Sequence, residues 1–132
     1  MGALSIGELA KQAKVNIETI RYYERRGLIS EPPRNRSGHR QYPLETLKRT
    51  RFIKRCQALG FSLNEVLSIL ELKMTPDSTC SDMQSRVSEK IKTVEEKIAE
   101  LNQIKEALRR MLKKCSGKGP IGHCPILEEL YR

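Results

Sequence analysis

The chain has 132 residues, with 25 Lys and Arg against 16 Asp and Glu and a formal net charge of +9. That length allows one modest core, or a small domain with a helical extension, and excludes a typical enzyme cleft. No apolar run approaches the ~18 residues of a spanning helix, so the expectation is a soluble, cytoplasmic protein with no membrane partner.

Charge is uneven along the sequence. Residues 1–60 hold 13 Lys and Arg against 5 Asp and Glu, and residues 61–132 hold 12 against 11. A positive field concentrated on a small domain suits a phosphate-rich partner, because neutralised phosphates release counterions. The four cysteines, Cys56, Cys80, Cys115 and Cys124, come without a secretion signal, which predicts free thiols and raises the question of metal or redox chemistry.

Ser5 with Glu8 makes a capping box, and Ile6, Leu9, Ala10 and Ala13 share a face, which predicts a helix ending near Ala13. A second helix, Ile17 to Arg26, starts at an Asn16 cap stapled by Val15 and Ile20, and Gly27 is placed to end it in a left-handed conformation. Its Thr19, Arg21, Tyr22, Tyr23, Arg25 and Arg26 combine donors with flat aromatic edges, the chemistry of a recognition helix. Pro32-Pro33 and the basic, turn-rich run Arg34 to Tyr42 predict a β-hairpin wing.

Helical spacing over Leu44 to Leu59, the stop at Gly60 and a second capping box at Ser62 and Glu65 predict a further helix pair reaching about Leu72. Cys56 falls on its apolar face among Phe52, Ile53 and Leu59, so a core role is expected for it. After a break around Pro76 comes the longest periodic segment. Val87, Ile91, Val94, Ile98, Leu101, Ile104, Leu108 and Met111 follow a spacing close to the 3.5 repeat of a coiled-coil seam. The chain offers no partner helix of that length, so a homodimer on palindromic DNA is the economical expectation. Beyond Lys114, the run Cys115 to Pro125 holds three glycines and two prolines, which makes it a loop bracketed by Cys115 and Cys124, and a short terminal helix follows.

These residues together resemble the MerR family of metal- and stress-responsive regulators, above all its mercury sensors. The marks are Ile6-Gly7-Glu8-Leu9-Ala10, Glu18 to Glu24, Gly27-Leu28-Ile29, Gly38-His39-Arg40-Gln41-Tyr42 and Leu59 to Leu63 in the first half. Thr79-Cys80, Cys115 and Cys124-Pro125 mark the second. The resemblance implies a repressor without metal that becomes an activator with metal, by distorting palindromic promoter DNA so that RNA polymerase engages it. It assigns Thr19, Arg21, Tyr22 and Tyr23 to groove and backbone contact, and Arg36, His39 and Arg40 to the wing. It assigns Cys80, Cys115 and Cys124 to the metal, with Hg(II) as the regulatory ligand.

The chemistry of the ligand set agrees with mercury. A soft cation is best served by thiolates, whereas a closed structural zinc site wants four ligands and no second cysteine adjoins Cys115. His123, beside Cys124, keeps zinc, cadmium or lead sensing as the alternative. Cys80 at a predicted helix N-terminus and Lys113 and Lys114 beside Cys115 would favour thiolates. Cys80 and Cys115 are 35 residues apart. An unbroken helix between them would separate them by roughly 50 Å, which predicts sites shared between two antiparallel chains.

The expected fold is therefore mainly α: a winged helix-turn-helix DNA-binding domain over 1–72, a linker over 73–80, a long antiparallel coiled-coil dimerisation helix over 81–114, and a short C-terminal metal-binding loop and helix over 115–132. A thiol-disulfide enzyme is disfavoured by the lack of a Cys-x-x-Cys pair, and an iron-sulfur sensor by having only two cysteines in the terminal loop. A metal-buffering protein would account for the thiols but not for the capped helix pair, wing and basic first half.

Overall fold

Among the described residues, six α-helices follow in chain order: α1 (Ile6–Ala13), α2 (Ile17–Arg25), α3 (Leu44–Ala58), α4 (Leu63–Met74), α5 (Cys80–Lys113) and α6 (Pro125–Tyr131). The structure is a computed structural model that describes residues 3–132, so the first two residues of the expected 1–72 domain lie outside it. The described residues include no strand. An isolated antiparallel bridge of Arg34 with Arg40 stands where the β-hairpin wing is expected, and a second, of Tyr42 with Leu4, ties the end of that run to the segment before α1. The chain divides after Arg86 into two units, each of which is described by itself.

Local chemistry places the starts of α1, α2 and α4 and the end of α2. Ser5 Oγ accepts from the Glu8 N–H while the Glu8 carboxylate accepts from the Ser5 N–H, and Ser62 and Glu65 repeat the arrangement at α4. Such caps satisfy amides with no partner inside the helix and contribute ~1 kcal/mol each. Asn16 Oδ1 caps α2 by accepting from the Thr19 N–H. Gly27 follows α2 at φ 75°, a left-handed conformation where a Cβ would be strained.

Amphipathic faces of α1, α2, α3 and α4 close one core. Leu9, Ile20, Leu28, Tyr42, Ile53 and Val66 are fully buried in it. Thr50 is buried too, and its hydroxyl donates to the Thr46 carbonyl at 2.7 Å. No buried side-chain N or O among the described residues lacks a hydrogen-bond partner. Cys56 belongs to this core, and burial pushes its thiol up from the ordinary value. That matches its expected packing role.

α4 runs two residues past the expected Leu72, and α5 begins at Cys80 rather than after it. The reason is local: the Thr79 N–H donates to Asp82 Oδ2 at 2.8 Å, a cap that draws Cys80 into the first turn. Arg86 of α5 donates to Ser68 Oγ of α4 within this unit.

In the C-terminal unit, α5 continues to Lys113 and α6 follows a loop with one 3-10 turn at Ile121–His123. No residue of α5 is buried. Val87, Ile91, Val94, Ile98, Leu101, Ile104 and Leu108 are 41–63% exposed. No helix among the described residues is long and apolar enough to cross a membrane.

Candidate nucleic-acid interface and thiol site

The exposed face of α2 is organised around Tyr22. The guanidinium groups of Arg25 and Arg26 lie 5.6 and 5.7 Å from its ring centroid, close enough for cation–π attraction. Arg26 also donates to the Tyr22 hydroxyl at 2.7 Å and to Asn64 Oδ1 of α4 at 2.7 Å. Arg21 is exposed and pairs with Glu18 at 2.9 Å, a surface ion pair that a phosphate displaces at little cost. Thr19 is half-buried, and its hydroxyl donates to the Asn16 cap at 2.8 Å.

Tyr23 is placed differently from the expectation. Its ring is 3% exposed in the core, and its hydroxyl donates to Gln57 Oε1 of α3 at 2.6 Å. Two adjacent helical positions differ by about 100°, so when Tyr22 faces out Tyr23 turns inward. Tyr23 is a core residue with a satisfied hydroxyl, not a groove contact.

The wing is a tight turn built on Asn35. Asn35 Oδ1 accepts from the Ser37 and His39 amides, and the Asn35 N–H donates to the His39 carbonyl at 2.8 Å. Gly38 at φ 84° allows the reversal. Arg36 and His39 are exposed on it. Arg40 is not free in the same way, because it is half-buried against α2 and pairs with Glu24 Oε2 at 2.7 Å. Arg40, expected among the DNA contacts of the wing, is thus engaged within the protein by Glu24.

Sequence reasoning assigned no role to Glu24 or Asn35. It also read all the basic residues as a field, yet several hold the fold. Lys54 donates to the Lys14 carbonyl at 2.6 Å, Arg51 to the Gln12 carbonyl at 3.3 Å and Arg49 to the Leu28 carbonyl at 2.6 Å. Lys54 and Arg51 thereby set cations at the C-terminal carbonyls of α1, the expected complement to a helix end.

In the C-terminal unit, Cys115 and Cys124 come together, both half-buried. The Leu127 amide at the start of α6 is the main influence lowering the Cys124 thiol below its ordinary value. Partial burial opposes it, the Ile126 amide and the Cys115 thiol add to it, and the Glu128 charge works against it. The Gly117 N–H donates to Cys115 Sγ at 3.4 Å. Lys114, expected to offset thiolate charge, instead pairs with Glu129 of α6 at 2.6 Å and holds that carboxyl below the usual range. His123 is exposed in the 3-10 turn beside Cys124. Cys80, exposed, heads α5 in the N-terminal unit. Among the described residues, no three His, Cys, Asp or Glu side chains are grouped to hold a metal. The donor set nevertheless fits a thiophilic cation: two adjacent thiols, one with amides favouring its thiolate.

Residues 4–73 match the family described as MerR HTH family regulatory protein, and residues 47–111 match MerR, DNA binding. The chain is 43% identical to the mercuric resistance operon regulatory protein of Bacillus cereus, with 96% of each chain covered. It is 38% identical to the HTH-type transcriptional regulator ZntR of Escherichia coli, covering 95% of this chain and 90% of the relative. The crystal structure of the transcription regulator PbrR691 from Ralstonia metallidurans CH34 in complex with Lead(II) superposes with a TM-score of 0.84. There the identity is 33%, over 96% of this chain and 98% of that one.

Proposed function

The chain belongs to the MerR family of helix-turn-helix transcription regulators, DNA-binding proteins rather than enzymes, and on that premise we propose that it is a dimeric regulator responsive to Hg(II). In this reading it represses a mercury-resistance promoter without metal and activates it with metal, by distorting a palindromic operator at which RNA polymerase sits. Residues 1–72 bind DNA, 73–80 link, 81–114 dimerise as an antiparallel coiled coil, and 115–132 bind metal. Arg21, Tyr22, Arg36 and His39 meet the DNA, while Thr19 fixes the start of α2.

The observation that carries the metal reading is the Cys115–Cys124 pair at the head of α6, with the Leu127 amide favouring the Cys124 thiolate. Thiolate is the form that binds a soft cation, and two thiols plus Cys80 supply three ligands. α5 has 34 residues, about 50 Å at ~1.5 Å per residue, with Cys80 at one end and Cys115 two residues past the other. An antiparallel pair of such helices would set Cys80 of one chain beside Cys115 and Cys124 of its partner. Bound Hg(II) would then cross-link two chains and fix their geometry.

A second reading has a specific basis: ZntR and the lead-bound PbrR691 are relatives, and His123 adjoins Cys124. Zinc, lead or cadmium would then be the effector. Transcription from the cognate promoter with purified protein, titrated with Hg(II), Cd(II), Pb(II) and Zn(II), decides between them. Induction at the lowest concentration by Hg(II) supports the proposal, and preferential induction by another ion replaces it.

A further inference from the structure

An acid on the DNA-facing half of a basic domain calls for an explanation, because its charge repels phosphate. Glu24 of α2 is such a residue, set directly beside Arg25 and Arg26 in the sequence, but its side chain is only 10% exposed. Both oxygens are occupied. Oε2 accepts from Arg40 Nη1 at 2.7 Å, and Oε1 accepts from the Tyr42 hydroxyl. Arg40 Nη1 also donates to the Tyr42 hydroxyl at 3.2 Å, and Glu31 lies 3.8 Å from Arg40 Nη2. The Tyr42 ring is fully buried, and its backbone exchanges two 2.7 Å hydrogen bonds with Leu4. The cluster therefore joins three parts of the chain: the last turn of α2, the return arm of the wing, and the segment before α1.

We propose that Glu24 is a positioning residue: through Arg40 and Tyr42 it clasps the wing to α2, so that these two elements meet a duplex at one fixed relative orientation. Arg40 acts inside this clasp rather than on phosphate. The inference rests on reading the chain as a DNA-binding regulator. Its physical basis is that a charge-assisted, largely desolvated pair has one favoured geometry, whereas the backbone bonds of the wing shape its turn and tie its return arm to Leu4 without fixing its angle to α2. Ordering the wing in advance removes that entropy cost from DNA binding.

The test uses the full chain and a duplex that the wild type recovers from a random-sequence pool, with affinity measured across KCl concentrations. Each variant is studied at a temperature where circular dichroism shows it folded. Long-range electrostatics alone predicts that Glu24→Gln strengthens binding, since it removes a negative charge. The clasp predicts the opposite sign, a loss of about tenfold or more. Arg40→Gln should show a similar loss with an unchanged salt slope, whereas loss of a phosphate contact would lower the slope by ~0.9. Glu24→Gln binding as tightly as wild type or more so, or a lowered slope in Arg40→Gln, overturns the proposal. Should Glu24→Gln fail to fold, Tyr42→Phe decides, because it keeps the buried ring and removes only the hydroxyl. A severalfold loss of affinity supports the clasp, and unchanged affinity overturns it. A wild type that binds neither the selected duplex nor a random one overturns the regulator reading, and the clasp with it. Normal wild-type binding with an unaffected Glu24→Gln overturns the clasp alone.

Discussion

Residues up to Arg86 and residues from Val87 onward satisfy their apolar side chains in opposite ways. The first unit closes a core in which Leu9, Ile20, Leu28, Ile53 and Val66 are fully buried. The second has a long helix with none of its residues buried and an apolar seam that is 41–63% exposed. Burying a Val, Leu or Ile stabilises by ~1.5–3 kcal/mol, so a seam of this length left in water is a large unrealised driving force. The difference teaches that the first unit covers its own apolar residues, whereas the seam of the second is left for the proposed dimer to cover.

The sharpest way to break that comparison is to charge the seam. In the proposed two-fold dimer, Ile98→Asp with Leu101→Asp counts twice, which removes at least ~6 kcal/mol of association. The dissociation constant should rise by more than about ten-thousandfold, read by sedimentation equilibrium. The buried core of the first unit should be untouched. A double variant that stays dimeric would show that the seam is not the interface.

Next in size is induction by metal. Single Ala changes at Cys80, Cys115 and Cys124 should abolish Hg(II) induction and leave operator binding intact, whereas Cys56→Ala should lower stability and leave induction in place. A heterodimer of a Cys80→Ala chain with a Cys115→Ala chain sharpens the test. The shared-site proposal expects one three-thiol site to be restored, with mercury affinity above that of either mutant homodimer. Equal affinity in all three would rule sharing out.

Adjacent tyrosines give a finer contrast within the first unit. Tyr23→Phe removes the hydroxyl that donates to Gln57, so it should cost about 1 kcal/mol of stability with operator affinity unchanged. Tyr22→Phe removes one of the two acceptors that hold Arg26 and a hydroxyl on the exposed face of α2, so it should weaken operator binding severalfold and change stability by less than ~0.5 kcal/mol. Chemical denaturation and fluorescence anisotropy measure the two columns of that contrast independently.

What could be read from the sequence was set by distance along the chain. The ends of α1, α2 and α4 were legible because Ser5 with Glu8, Asn16 with Thr19 and Ser62 with Glu65 lie three residues apart. The wing, the long helix and the terminal loop were legible from composition and period. The side chains that the fold has already engaged were not, since their partners are remote: Arg40 reaches Glu24 across 16 residues, Tyr23 reaches Gln57 across 34, and Lys54 reaches Lys14 across 40. One sequence records that a residue is basic or aromatic. It does not record that a distant partner has already engaged it. Lys114 teaches the same lesson at the thiol site, where Glu129 holds the charge that had been assigned to Cys115.

The smallest expected effect concerns acid, and it separates a local cap from the rest of the first unit. Glu8 lies below the ordinary carboxylate value, chiefly because the Ser5 backbone N–H donates to its carboxylate and secondarily through the Ser5 hydroxyl; slight desolvation opposes both. A carboxyl whose folded-state value is depressed contributes stability that is present above its unfolded value and lost as pH falls through the folded one. The wild type should therefore unfold at a slightly higher temperature than Glu8→Gln near neutrality, by a few degrees at most, since the group is exposed and solvent screens it. That gap should shrink as pH drops through the carboxylate range and vanish once Glu8 is protonated. Thermal midpoints for both proteins across that range measure it. A gap that persists in strong acid would mean that Glu8 supports α1 through packing and not through the charge of its capping carboxylate.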